Sequence, residues 1–339
     1  MVNHVVASDW TNVSDEIVVS KTPLRISFVG GGTDFYDYWK KFQGEVISAS
    51  IDKYIYVTLK KHGELFNEKI RLNYSKIELV TSVQKIDNLI VKGCFKLLNF
   101  NSKIFIGTIS DLPSESGLGS SSVFAVGLLN ALYASVNKEI GPGDLAKYSN
   151  FVELDILKRD MGKQDAYPAA YGGLNLYKFK QDDSVSISPI NISADNFNAL
   201  NSSLCLVFTN QTRKSNTVLN DQIKNTKDNL ENLHFIKSQV KDLKDILENS
   251  FSLHSIGEVL TEGWLKKRDL SKYISNPDID SIYKKIMSSG CLGCKLSGAG
   301  GGGFFICIVP NEKKNMFKKK LSNLSIIDIH ISNFGSKII

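Results

Sequence analysis

Short apolar runs open the chain. Residues 17–20 and 24–29 are β-rich and end at Gly30, Gly31 and Gly32, so the pattern predicts two short strands closed by a turn. Residues 46–59 (VISASIDKYIYVTL) alternate in part and predict a strand or a hairpin, and 104–109 predict another short strand. After Pro113 the period changes. Starting at Ser122, the apolar residues Val126, Leu129 and Tyr133 recur at helical spacing. A second helix is expected from Asp144, read as its N-cap, to residue 158, with Leu145, Tyr148, Val152 and Ile156 on one side. Gly172 and Gly173 then lead into a predicted strand, LNLYKF.

The polar stretch 181–201 is read as the boundary between two lobes. Beyond it, 204–209 predict a strand. Leu230, Leu233, Ile236, Val240, Leu243 and Leu247 then form the stripe of a core-facing helix. A further helix is expected over 253–267, then a glycine loop at 295–303, the strand FFICIV, and an amphipathic helix with a solvated lysine face at 313–320. Strands and helices mix without a repeated βαβ rhythm, which points to an α+β fold. The expected organisation is a loosely ordered extension at 1–16, an N-terminal domain at 17–190 and a C-terminal domain at 191–339.

Composition narrows the class. The 339 residues are 42% hydrophobic and 22% charged, ordinary for a globular enzyme. No run approaches the ~18 apolar residues of a membrane span, and 1–16 lack a signal-peptide pattern, so a cytoplasmic protein without membrane contact is expected. Net charge is +6, which suits anionic small molecules; no motif for nucleic acid accompanies it. Of five cysteines, Cys94, Cys205 and Cys307 read as core residues. Cys291 and Cys294 form a lone C-x-x-C, half of a zinc site at most.

Chemistry concentrates in four motifs. The strongest is DLPSESGLGSSS, residues 111–122. Pro113, Gly117 and Gly119 allow a tight loop through Ser114, Ser116 and Leu118, and Ser120, Ser121 and Ser122 open a helix whose free N–H donors suit a polyphosphate. A serine N-cap after a flexible loop is the plainer alternative. No Walker lysine follows. A hard cation accompanying a nucleotide needs oxygen ligands, for which Ser121 and Glu153 are candidates, although a mid-helix Glu is usually solvated. The second motif, RISFVGGGTD at 25–34, brings Arg25 on a strand and places Gly31, Gly32, Thr33 and Asp34 where a polyol could bind. The third, KLSGAGGGGFF at 295–305, reads as a ligand-approach loop containing Gly300 and Gly301. In the fourth, GKQDAY at 162–167, Asp165 could orient or deprotonate a hydroxyl, although alone it is a loop residue.

Together, and in this order, these motifs resemble the galactokinase, homoserine, mevalonate and phosphomevalonate (GHMP) kinase superfamily, from about Lys21 onward. TPLRISFVGGGTD and GKQDAYPAAYGG look most like its D-glycero-D-manno-heptose 7-phosphate kinases. The resemblance implies a two-lobed fold, an N-terminal lobe like ribosomal protein S5 and a C-terminal ferredoxin-like lobe, with the active site in the cleft between them. It implies ATP as co-substrate, Mg²⁺ on Ser121 and Glu153, and the phosphate loop at 113–122. It also implies catalysis by Asp165 and Arg25, and acceptor binding by Gly31, Gly32, Thr33, Asp34, Lys163, Gln164, Gly300 and Gly301. The implied reaction phosphorylates the anomeric hydroxyl of the heptose 7-phosphate, on the route to GDP-heptose for surface polysaccharide. Arg213 is the first choice for the 7-phosphate, ahead of Lys266, Lys267 and Arg268.

Other acceptors, such as fucose, remain open, and so does self-association. A diphosphomevalonate-type decarboxylase fits GGGTD less well. A non-catalytic ligand sensor would be expected to lose Ser121, Glu153 or Asp165, and all three are present.

Overall fold

Two sheets organise the chain. The computed structural model describes residue 10 and residues 12–212, 218–219, 221–222 and 229–339. Arg213 and Lys214 lie outside the described residues. The first sheet has eight strands: β1 (Val18–Val29), β2 (Gly44–Lys61), β3 (Ile70–Asn73), β4 (Ile77–Val80), β5 (Ile104–Ser110), β6 (Leu174–Phe179), β7 (Val185–Pro189) and β12 (Lys337–Ile338). The second has four, β8 (Leu204–Phe208), β9 (Gly293–Leu296), β10 (Phe304–Ile308) and β11 (Ile326–Asp328), in the order β11-β8-β10-β9. In chain order that is 4-1-3-2, the ferredoxin-like arrangement expected for the second lobe.

The two short strands expected at 17–20 and 24–29 are one continuous β1, and 46–59 lie within a single strand rather than a hairpin. Pro23 does not break β1, because the β1–β2 register shifts between Pro23 and Arg25 and again between Ser27 and Val29. The first shift has a use. The Arg25 N–H leaves the ladder and donates to Leu118 O at 3.2 Å, tying the strand to the phosphate loop.

Helix α1 (Tyr36–Phe42) follows Asp34, and α2 (Leu89–Leu98) is capped by Asn88, whose side chain accepts from Val91 N. Helix α3 (Ser120–Ser135) packs on β1 and β2. Its close approach requires Gly127, where an added Cβ would lie 2.7 Å from Thr22 Oγ1. Helix α4 (Pro142–Asn150) starts at Gly141, not at Asp144, and gives way to a π-helical turn, Phe151–Ile156, in place of the regular helix expected to residue 158. Helix α5 (Ala166–Tyr171) follows and leads into β6.

The supposed boundary at 181–201 is structured: β7 pairs with β6, and α6 (Ala194–Ser203) runs directly into β8. The second lobe adds α7 (Leu230–Glu248), α8 (Leu253–Arg268), α9 (Pro277–Ser288) and α10 (Lys314–Lys320). Along α7 the apolar stripe is buried from Leu233 to Leu247 as its periodicity implies, with Leu230 partly buried at the helix start. On α10 the lysine face is only partly solvated, since Lys314 is buried and donates to Leu204 O, while Met316 is exposed.

Two terminal segments close on the first lobe. Strand β12 pairs with β1, and Trp10 and Val13, placed in a loose extension by the sequence, are buried. Trp10 packs edge-on against Tyr133 at 4.9 Å, and Ser14 N donates to Ser135 O. In the second lobe, Cys307 joins Cys291 and Cys294: three buried sulfurs within 4.8 Å of one another, with the Cys291 thiol donating to Gly293 O. No described helix is long and apolar enough to cross a membrane.

Candidate active site in the cleft between the lobes

Both lobes wall a cavity of about 870 Å³. That is large for one small molecule and adequate for a nucleotide beside a second substrate.

One wall is the loop before α3. Glu115, Gly117 and Gly119 all have left-handed backbone, with φ of 59°, 82° and 77°. Gly117 is doubly constrained, because an added Cβ would also sit 2.5 Å from Ser297 O of the C-terminal glycine loop. Gly119 caps α3, and Ser120, Ser121 and Ser122 occupy its first turn, where backbone N–H groups lack helical acceptors. Ser114, Ser116, Gly117, Gly119 and the three serines line the cavity. Pro113 and Leu118 do not: Pro113 faces solvent, and Leu118 is a core residue whose carbonyl holds Arg25.

Glu153 lies behind that wall, fully buried. The Ser121 and Ser122 hydroxyls donate to its two carboxylate oxygens, and Arg159 Nη1 donates to Oε1 at 2.8 Å and to Ser121 Oγ. Burial raises the Glu153 pKa above the usual range, while the two hydroxyls and the Arg159 charge oppose the rise. The π turn sets this geometry by inserting a residue into the helix, a device common at functional positions. Arg159 was not anticipated. It comes from irregular backbone six residues past Glu153, and nothing in KRDMGKQ singled it out.

Arg25 and Asp165 form the centre. Arg25, 3% exposed, donates through Nε to Asp165 Oδ1 at 2.9 Å, with Nη2 2.8 Å from the same oxygen, and through Nη1 to Gly117 O at 2.7 Å. One guanidinium thereby joins β1, the phosphate loop and the start of α5. Asp165 sits at the N-cap position of α5 but makes no capping bond, so its carboxylate serves Arg25 and the cavity.

Asp34 adjoins this pair. Its Oδ1 accepts from Gly32 N at 2.9 Å and Gln164 Nε2 at 3.0 Å, and its Oδ2 accepts from Gln164 N at 3.1 Å. Burial, and next the Asp165 charge, raise its pKa, against the lowering effect of backbone N–H groups. The RISFVGGGTD and GKQDAY motifs, 130 residues apart, are thus one hydrogen-bonded unit. Gly31, Gly32, Gln164 and Gly300 also line the cavity.

Three expected acceptor residues are turned elsewhere. Thr33 is fully buried, and its hydroxyl donates to Gly30 O and Glu45 O, bracing the turn. The Lys163 ammonium pairs with Asp183 and lies 4.0 Å above the Trp39 ring. Gly301 donates to Ile274 O, and it is Gly298, Ala299, Gly300 and Gly302 that reach the cavity.

Lys267, expected as a second choice for the 7-phosphate, lines the cavity, and so do Ser27, Arg159, Gln239 and Lys295, which the sequence did not single out. Among the described residues, Ser27 Oγ, Ser116 Oγ, Gln164 Oε1 and Gln239 Oε1 are buried polar atoms of this cavity without a protein partner. Such atoms are rare in folded proteins, and a ligand or a water in the cavity would satisfy them. Lys295 reaches from β9 across the cleft to donate to Phe28 O at 2.8 Å, while burial, Lys267 and Arg25 push its pKa well down. The cavity is also lined by Tyr74, Leu89, Ile90, Thr108, Ser110 and Phe124, a mixed polar and apolar set.

The chain as a whole is similar to known proteins. Residues 88–173 match the N-terminal domain of GHMP kinases and residues 236–323 their C-terminal domain. A D-glycero-alpha-D-manno-heptose 7-phosphate kinase of Campylobacter jejuni is 33% identical over 315 residues, covering 88% of this chain and 91% of that one. A bifunctional fucokinase/GDP-fucose pyrophosphorylase of Arabidopsis thaliana is 26% identical over 68% of this chain and 22% of its own length. Among solved structures, a D-glycero-D-manno-heptose 1-phosphate kinase from Bacteroides thetaiotaomicron superposes with a TM-score of 0.78 at 25% identity, covering 95% of this chain and 98% of that one. Matched in both halves and over nearly its whole length, the chain belongs to the GHMP kinase family.

Proposed function

We propose that this kinase transfers the γ-phosphoryl group of ATP to the anomeric hydroxyl of D-glycero-D-manno-heptose 7-phosphate, giving the 1,7-bisphosphate and ADP. The observation that carries the reading is the continuous network Gln164–Asp34 beside Asp165–Arg25–Gly117, which sets a polyol site against a phosphate loop. The Campylobacter jejuni relative supports the choice of acceptor.

The helix N-terminus at Ser120, Ser121 and Ser122 holds the polyphosphate, and the lining around Tyr74 and Phe124 takes the base. Asp34, Gln164 and Ser27 orient the sugar hydroxyls. Asp165 Oδ2, which no described side chain occupies, accepts the proton of the anomeric hydroxyl as its oxygen attacks the γ-phosphorus and the bond to the β-phosphate oxygen breaks. Arg25, anchored on Asp165 Oδ1 and Gly117 O, keeps positive charge beside the group in transit.

Ser121 and Glu153 fit a hard cation: both ligand atoms are oxygens, and the Arg159 guanidinium already bridges them, so the position attracts positive charge. Mg²⁺ held there would neutralise charge on the β- and γ-phosphate oxygens.

A coupled assay of ADP release across sugars and sugar phosphates tests the proposal. Turnover with the heptose 7-phosphate well above that with free heptose or fucose supports it. The fucokinase relative makes a fucose-type 1-kinase the second reading, and preference for fucose would establish that instead.

A further inference from the structure

Among the described residues, four cations line the cavity: Arg25, Arg159, Lys267 and Lys295. Two are paired with carboxylates, Arg25 with Asp165 and Arg159 with Glu153. The Lys295 ammonium donates to Phe28 O at the joint between the lobes, where burial, Lys267 and Arg25 disfavour its charge. That leaves Lys267, on α8. Its ammonium has three N–H donors, and its one recorded partner is a carbonyl, Gly298 O of the glycine loop. No carboxylate of the described residues stands within ion-pair distance of it.

Its surroundings are also built for a ligand. Lys267 ends α8, on the same face as Gly263 one turn earlier, and both line the cavity. A Cβ at Gly263 would lie 2.7 Å from Gln239 Oε1. That oxygen is itself buried and unpartnered, while Gln239 Nε2 is held by Val259 O. The second lobe thus brings to the cavity an ammonium and, one helical turn earlier beside Gly263, an unsatisfied amide oxygen. Burial and the Arg25 charge depress the Lys267 pKa to about 8, against the pull of Asp34 and Asp165, so the charged form still predominates at neutral pH.

We propose that Lys267 receives the distal phosphate of the acceptor and sets selectivity for a phosphorylated over a free sugar. This rests on the sugar-phosphate reading above. A sugar with C1 on Asp165 and its middle hydroxyls on Asp34 and Gln164 turns its far end toward the second lobe. The first lobe's helix N-terminus and Arg25 are taken by the nucleotide's phosphates. A dianion at the far end then meets the Lys267 ammonium, which has donors to spare, and Gln239 Oε1 accepts from an adjacent hydroxyl.

The test compares wild type, Lys267→Met and Lys267→Arg, as full-length enzyme with ATP and either heptose 7-phosphate or free heptose. Lys267→Met should lower kcat/KM for the phosphorylated sugar by about 10- to 150-fold, the range for one charge-assisted hydrogen bond, mainly through KM. A thermal melt checks that the variant is folded, and its preference for the phosphorylated over the free sugar should shrink toward unity. Lys267→Arg should restore most of the preference, and Lys267→Gln replaces Lys267→Met if the latter does not fold. Equal losses on both sugars would overturn the assignment and place Lys267 on the transferred phosphoryl group. Unchanged selectivity in Lys267→Met would also overturn it. If wild type itself does not prefer the phosphorylated sugar, it is the substrate reading that fails, and this proposal with it.

Discussion

Gly162→Ala probes the acceptor site through one methyl group. A Cβ at Gly162 would stand 1.8 Å from Asp34 Oδ2 and 2.5 Å from its Cγ, so the carboxylate must move. The backbone of Gly162 is not in the left-handed region, so alanine brings no torsional penalty of its own. Moving Asp34 strains three hydrogen bonds, from Gly32 N, Gln164 N and Gln164 Nε2. Losing one bond to a charged group costs about 1.5–3 kcal/mol. If that interaction positions the acceptor, kcat/KM for the sugar falls by about 10- to 150-fold. The phosphate loop lies on another element, so ATP affinity should not change. The assay is steady-state kinetics with the sugar varied at saturating ATP, beside a direct titration of ATP and a thermal melt. A folded Gly162→Ala enzyme with unaltered kcat/KM for the sugar would refute the placement of Asp34 in the acceptor site.

Other residues give independent outcomes. Asp165→Asn should lower kcat by roughly 10² to 10⁴ with little change in ATP affinity, read by the same kinetics. Glu153→Gln keeps the volume but removes the charge facing Arg159 and Ser121, so the Mg²⁺ concentration for half-maximal activity should rise at least about tenfold; an unaltered Mg²⁺ dependence counts against this ligand set. Burial and then the Arg25 charge disfavour the charged form of Lys267, and Asp34 and Asp165 favour it. Its proton is bound below about pH 8 and lost above it, so KM for the sugar phosphate should climb as pH rises through 8, and Lys267→Arg should flatten that climb.

The parts legible in the sequence were those governed by local rules. The glycines and serines of 111–122 encode a loop and a helix start that need no partner to be recognised. The stripe of α7 encodes a buried face. Where longer contacts decide, the sequence was silent or misleading. Pro23 splits the strand pattern, yet the shift in register lets β1 run through it. Glu153 looked like a solvated helix residue, and its burial depends on a π turn that periodicity does not register. Lys163 and Thr33 stand beside Gln164 and Asp34 in the motifs but face Asp183 and Gly30 instead. Neighbours along an irregular loop do not share a direction. Lys267 and Lys295 gain their character only when the second lobe docks on β1, and a lysine at a helix end ordinarily reads as solvated.

The central claim is that one cleft holds ATP against a sugar phosphate and moves a phosphoryl group between them. Its most direct test is a coupled ADP-release assay with heptose 7-phosphate, followed by phosphorus NMR of the product. The account predicts one ADP per sugar consumed and a new anomeric phosphate beside the original one. Tight ATP binding with no ADP release on any sugar or sugar phosphate would contradict it.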